Sequence, residues 1–207
     1  MKKIALLVIF LFIGSMSGNA FAQSHGQIEI LAPWTQKSVK VSIINKANLP
    51  ENGISIIKKV IQSDSFYVEN GQTYFEGWAG ALQSLDSEKK FEVTVSEKTR
   101  GSDITIELLQ ETDPRYNGYT VPHYAGNRMI SASIQIFDSE NISYAQLENL
   151  VRHEFGHALG FGHASERSFI MYESMSAEPK FIAECELDGL KALSEGHTFR
   201  NVGCSSA

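Results

Sequence analysis

Three histidines and a glutamate lie in the segment His153-Glu154-Phe155-Gly156-His157-Ala158-Leu159-Gly160-Phe161-Gly162-His163. Their types and spacing suit metal-assisted hydrolysis. His153 and His157 are four residues apart, so on a helix they project about 40° apart, one turn above the other. Two imidazoles can then grip one ion from a single helix face. A continuing helix would carry His163 away from that ion. Gly160 removes the obstacle, because glycine accepts the left-handed conformation that ends a helix and turns the chain. Three nitrogens leave one position open on a tetrahedral Zn2+, which is the arrangement of a catalytic rather than a structural site. Glu154, offset from His153 by about 100° around the helix, is placed to reach the water that the metal activates. There it can take a proton and later deliver one to a leaving amine. The HExxH part alone arises by chance in roughly one chain in a hundred. Gly160 and His163 at fixed offsets lower that to the order of one in 10⁴–10⁵, which makes the full segment specific.

A helix must carry the first two histidines, and the sequence supplies one. Ser143 with Gln146 forms a capping box. Leu147, Leu150, Val151, Phe155, Ala158 and Leu159 then make a broad apolar stripe, and Gly160 and Gly162 stop it. Earlier segments alternate with period two: Val39, Val41 and Ile43; Phe91, Val93 and Val95; Ile104, Ile106 and Leu108; Ile130, Ala132, Ile134 and Ile136. Each reads as a half-buried strand. Tyr74, Phe75, Trp78, Ala81, Leu82 and Leu85 fall at helical spacing and predict a helix between the first two strands. Ile54 to Ile61 reads as either helix or strand. The Gly-, Pro-, Asn- and Tyr-rich stretch from Asp113 to Asn127 reads as a long surface loop. A last helix is expected over Phe181 to Ser194, with Ile182, Cys185, Leu190 and Leu193 inward. Strands first and helices later make the fold class α+β.

The chain has 207 residues, 43% of them hydrophobic, and a formal net charge of −6. That length and composition fit one globular domain. The acidic balance, with no basic patch, argues against nucleic acid as a partner. Residues 1–22 read as a secretory signal peptide: Lys2 and Lys3, an apolar run from Ile4 to Ile13, then small residues at Ala20 and Ala22. The alternative, a retained membrane anchor, meets a run shorter than the ~20 residues needed to span. Cleavage after Ala22 leaves residues 23–207. It removes two lysines and no acid, so the formal charge moves from −6 to −8. In an oxidising compartment Cys185 and Cys204 are expected to pair, pinning the C-terminal tail to the last helix; the alternative is two free buried thiols.

The segment, with a methionine downstream, resembles the metzincin metallopeptidases. Met171, eight residues after His163 in Ser168-Phe169-Ile170-Met171-Tyr172, is the candidate methionine turn, and the short interval is similar to the matrixin branch. Ser102 to Ile106 resembles a matrixin strand, Trp78 the tryptophan of that family's first helix, and Phe181 to Gly196 its C-terminal helix. The resemblance covers residues 33–196. It implies a zincin-type domain with a twisted mixed sheet, an active-site helix and a C-terminal helix. It also implies one catalytic zinc on His153, His157 and His163, with Glu154 as general base and Met171 as an apolar floor.

Glu173 departs from the proline common in that family after the methionine turn. Only His123 is available for the second, structural zinc of vertebrate members, so none is expected. Calcium is a candidate cofactor by resemblance, with Asp103, Asp113, Asp138 and Glu140 as ligands or as plain solvated acids. No cysteine precedes the catalytic region, so the family's cysteine-switch propeptide is not expected. Tyr172 reads as an aromatic of the pocket wall formed by residues from Tyr172 to Pro179, or as a residue approaching the metal.

The resemblance, with the signal-like residues 1–22, thus points to a secreted, monomeric zinc endopeptidase that acts on a protein or peptide lying extended along a sheet edge. Either Gly118 to His123 or Ile130 to Ile136 would form that edge. Two other readings keep the same zinc chemistry or fold: a hydrolase of non-peptide amides, and a secreted zinc-binding protein without turnover.

Overall fold

A computed structural model describes residues 26–95, 101–174, 178 and 180–205. The expected signal segment, 1–22, lies outside them.

The chain begins with β1 (Gln27–Ile30) and β2 (Ser38–Asn45), where Val39, Val41 and Ile43 point inward and are fully buried. The ambiguous segment that follows is helix α1 (Glu51–Gln62), because Ile54, Ile57 and Ile61 share one helical face and all are buried. Next comes a hairpin of β3 (Phe66–Glu69) and β4 (Gln72–Phe75). Helix α2 is only Trp78–Gln83. The expected helix through Tyr74 and Phe75 is therefore wrong at its start. Asn70 and Gly71, with φ of 52° and 82°, make a two-residue turn whose left-handed conformations join antiparallel strands. Trp78 opens the second helix, not the first.

Strands β5 (Lys90–Val95), β6 (Ile104–Leu108), β7 (Gly118–Ala125) and β8 (Arg128–Ile136) complete the main sheet, in the order β5-β2-β6-β8-β7. All neighbours run parallel except β7, which is antiparallel to β8. The fold is α+β with a mixed sheet. Residues 118–125 correct the long-loop expectation: Gly118 and Pro122 interrupt the strand formers Tyr119, Thr120, Val121 and Tyr124, and pairing with β8 decides it. Ile130 also departs from the expected alternation. A register shift between His123 and Tyr124 turns it outward, 48% exposed, while Met129 takes the inward place.

Helix α3 (Tyr144–Leu159) packs with α1 against the sheet. Its N-terminus carries the predicted box: Gln146 N–H donates to Ser143 Oγ, and Ser143 N–H donates to Gln146 Oε1 at 3.0 Å. Gly160 ends it at φ 110°, where a Cβ would lie 2.2 Å from the Ala32 carbonyl oxygen. Only glycine fits there. The chain then enters β9 (Phe161–Ala164), helix α4 (Glu184–Ser194) and β10 (Arg200–Gly203). α4 starts three residues later than expected, because Ile182 is held in an antiparallel bridge to Phe75. β10, β1 and β9 form a second, three-stranded sheet with β1 in the middle. Cys185 at the start of α4 is joined by a disulfide to Cys204, just past β10.

Candidate active site

Three nitrogens converge at the C-terminal half of α3. His153 is buried, His157 half-buried and His163 exposed, and their ligand atoms all lie within 4.8 Å of one another. The ring centroids form a triangle of 4.7, 5.6 and 4.8 Å. His163 reaches the group from β9, which the Gly160 turn swings back alongside the helix.

Carbonyl oxygens fix two of the rings. His153 Nδ1 lies 2.8 Å from the Ile170 oxygen, and His157 Nδ1 lies 3.0 Å from the Phe161 oxygen. A carbonyl can only accept, so each Nδ1 carries the proton and each Nε2 is left with a lone pair. Those two Nε2 atoms are 3.1 Å apart. Two lone pairs at that distance repel unless a cation lies between them. Two Zn–N bonds of about 2.05 Å at a tetrahedral angle would span about 3.3 Å, so the donor set fits zinc. Burial pushes His153 down to about 4 and His157 down to about 3, which keeps both imidazoles neutral at neutral pH. Metal ligation needs the neutral ring.

Glu154 is 5% exposed, and Thr120 Oγ1 on β7 donates to its Oε2 at 2.6 Å. Burial raises this carboxyl to about 7, with the Thr120 bond acting the other way. A Cβ at residue 118 would sit 3.0 Å from Glu154 Oε1, so Gly118 leaves room beside that second oxygen. Thr120 and Gly118 carry no local signal of this role; only the antiparallel register of β7 brings them to α3.

Met171 is fully buried beneath the helix. Its Sδ lies 2.2 Å from where a Cβ on Gly156 would be. Glycine at 156 is thus what lets the methionine approach. Met171 O accepts from Ala164 N–H at 2.8 Å, which ties this segment to β9. Glu186, fully buried on α4, accepts from Met171 N–H at 3.4 Å and from Ala183 N–H at 3.1 Å. Its burial pushes it up to about 7.

The Tyr172 ring is partly buried and faces two cations, Arg167 and Lys180, at 6.0 and 5.8 Å. Residues 175–177 and 179 of the expected pocket wall lie outside the described residues. Lys180, just past that wall, is tied down by α3. Arg152, 1% exposed, donates to the carbonyls of Lys180 at 2.6 Å and Glu76 at 3.0 Å and to Glu148 Oε1 at 2.5 Å. Sequence reasoning missed Arg152, since an arginine on an amphipathic helix normally points to solvent.

Among the described residues the candidate calcium ligands form no cluster of three or more. Asp103 accepts from Lys40 N–H, Asp113 pairs with Arg115, Asp138 accepts from Asn141, and Glu140 accepts from Gln110. Of the two candidate edge segments, β8 has neighbours on both sides, so only β7 offers a free edge.

This fold brings two histidines and a buried glutamate of its central helix together with a third histidine from β9. The matrixin family matches the chain over residues 34–195, and the chain belongs to that family of zinc-dependent metallopeptidases. No curated protein matches the chain. Among the described residues no helix is long and apolar enough to cross a membrane.

Proposed function

We propose that this chain is a secreted zinc endopeptidase in which His153, His157 and His163 hold the metal and Glu154 is the general base. The observation that carries the reading is the pairing of Glu154 with Thr120 beside three converging imidazoles. Zinc, when bound, supplies a Lewis acid and lowers the pKa of water towards ~7. Glu154 receives the proton of the attacking water at Oε1, the oxygen that Gly118 leaves accessible. Thr120 holds Oε2, so the carboxylate keeps one orientation. The same carboxyl then donates the proton to the leaving amine. Burial favours the protonated, donating form and the Thr120 bond the ionised, accepting one, so the carboxyl is suited to both roles.

The free edge of β7 favours an extended peptide over a small amide, because a strand can add there by backbone pairing. Export rests on the signal-like residues 1–22. The reading takes the protein as a monomer. The test is zinc content of residues 23–207, together with cleavage of a denatured protein with and without a chelator, repeated for Glu154→Gln. About one zinc per chain, chelator-sensitive cleavage, and loss of cleavage with zinc retained in E154Q are expected. Zinc without cleavage of any peptide would favour a binding role, and no zinc in folded protein would overturn the reading.

A further inference from the structure

The backbone of β7 alternates between β8 and the open edge. Phe137 N–H donates to Asn117 O at 2.8 Å, so Asn117 turns to β8, and by alternation Tyr119, Val121 and His123 do too. Ala132, the partner of Pro122, gives its N–H to Asp103 O on the far side at 2.9 Å, so that pair exchanges no hydrogen bonds. Met129, opposite Tyr124, likewise donates to Pro33 O at 3.1 Å. Gly118, Thr120, Pro122 and Tyr124 therefore present their backbone to the open edge. Three of them offer both an N–H and a C=O. Pro122 offers a C=O alone.

At this phase the missing N–H costs the β7–β8 ladder nothing. Its effect falls entirely on whatever pairs with the edge. Thr120 lies beside Glu154, so the substrate residue facing Thr120 is at the reacting centre. In a strand antiparallel to β7, the residue facing Pro122 lies two places nearer the substrate's N-terminus, about 7 Å away. We propose that Pro122 is a specificity-determining residue: it deletes one donor from the substrate edge, so the substrate residue opposite it is held through its N–H alone. The carbonyl of that residue is left to water. That substrate carbonyl is therefore one the enzyme does not read, whereas the carbonyls facing Thr120 and Tyr124 each meet an N–H. The inference rests on the peptidase reading.

The test compares the zinc-loaded unmodified enzyme with Pro122→Ala on two peptides. One spans the positions facing Thr120 and Pro122, and the other is truncated before the second. In P122A the ratio of kcat/KM for the long over the short peptide rises about two- to tenfold, the effect of one net hydrogen bond. An alkene isostere removing the carbonyl opposite residue 122 cancels that rise. On the unmodified enzyme alone, independent of how the variant folds, the same isostere leaves kcat/KM unchanged, because the carbonyl it removes has no partner on β7. An unchanged ratio in folded P122A, or an unmodified enzyme that loses activity on the isostere, overturns the inference. Cleavage of neither peptide by the unmodified enzyme overturns the peptidase reading, and this inference with it.

Discussion

The Thr120 hydroxyl and the Glu154 carboxylate meet at 2.6 Å across the gap between the edge strand and the active-site helix. One residue thus joins the strand that would seat a substrate to the group that would move its proton. The bond favours the ionised carboxylate, while burial opposes it. Replacing Thr120 by valine keeps the shape and removes the donor. The carboxyl pKa then rises further, and the base form appears only at higher pH. The acid limb of the kcat/KM profile is expected to move up by about one unit, the scale of a charge-assisted hydrogen bond. Zinc content should stay at the level of the unmodified protein. An unmoved limb in a fully loaded T120V enzyme would rule out this role.

Gly156 and Met171 occupy one space. A Cβ at 156 would meet Met171 Sδ at 2.2 Å and Trp78 Cζ2 at 3.1 Å. G156A is expected to destabilise the fold by about 1–3 kcal/mol through overpacking. It should also weaken zinc binding, because the displaced Met171 segment includes the Ile170 carbonyl that orients His153. Adding Met171→Ala relieves the clash, so the double variant should bind zinc more tightly than G156A. Chemical unfolding and zinc titration of the three proteins check this, and additive losses would disprove it.

Glu186 makes stability depend on pH in a direction opposite to most acids. Its folded pKa is about 7 against an ordinary 4.5, because burial penalises the charge. Between those values the folded state holds a proton that the unfolded state releases. This contribution is fully present below about 4.5 and is lost as pH rises through about 7. The histidines act oppositely, since their folded values are lowered. The difference between the unmodified protein and Glu186→Gln isolates the term. E186Q should gain stability relative to the unmodified protein as pH goes from 5 to 8, read from urea midpoints. A constant difference would show that Glu186 does not titrate in this range.

The Cys185–Cys204 disulfide closes a loop of 19 residues. A loop of that length restricts the unfolded chain by about 3 kcal/mol. The double variant C185A/C204A should lose stability on that order, and dithiothreitol should destabilise the unmodified protein but not the variant. Equal sensitivity of both to the reductant would contradict this.

The active-site helix was legible because its signals are local. Ser143 and Gln146 meet within one turn, and Gly160 decides its own conformation. His163 followed from the same turn. β7 was not legible. Gly118, Pro122 and Ala125 disfavour a strand in isolation, and the pairing that makes one comes from β8. Thr120 was missed with it, because its role exists only in that register. Tyr74 and Phe75 misled in the other direction. Their spacing to Trp78 is helical, yet Asn70-Gly71 folds them back into a hairpin, a signal that outweighs apolar spacing.

His153 and His157 come together as soon as one helix forms, whereas His163 depends on a strand fastened to β1, more than 130 residues earlier in the chain. β1 is in turn flanked by β10, the last strand to be synthesised. The three donors therefore do not mature together. A chain folded only at α3 has a two-point grip on metal, and the third point arrives with the pairing of β9 to β1. Tight metal retention is then a record of completed folding.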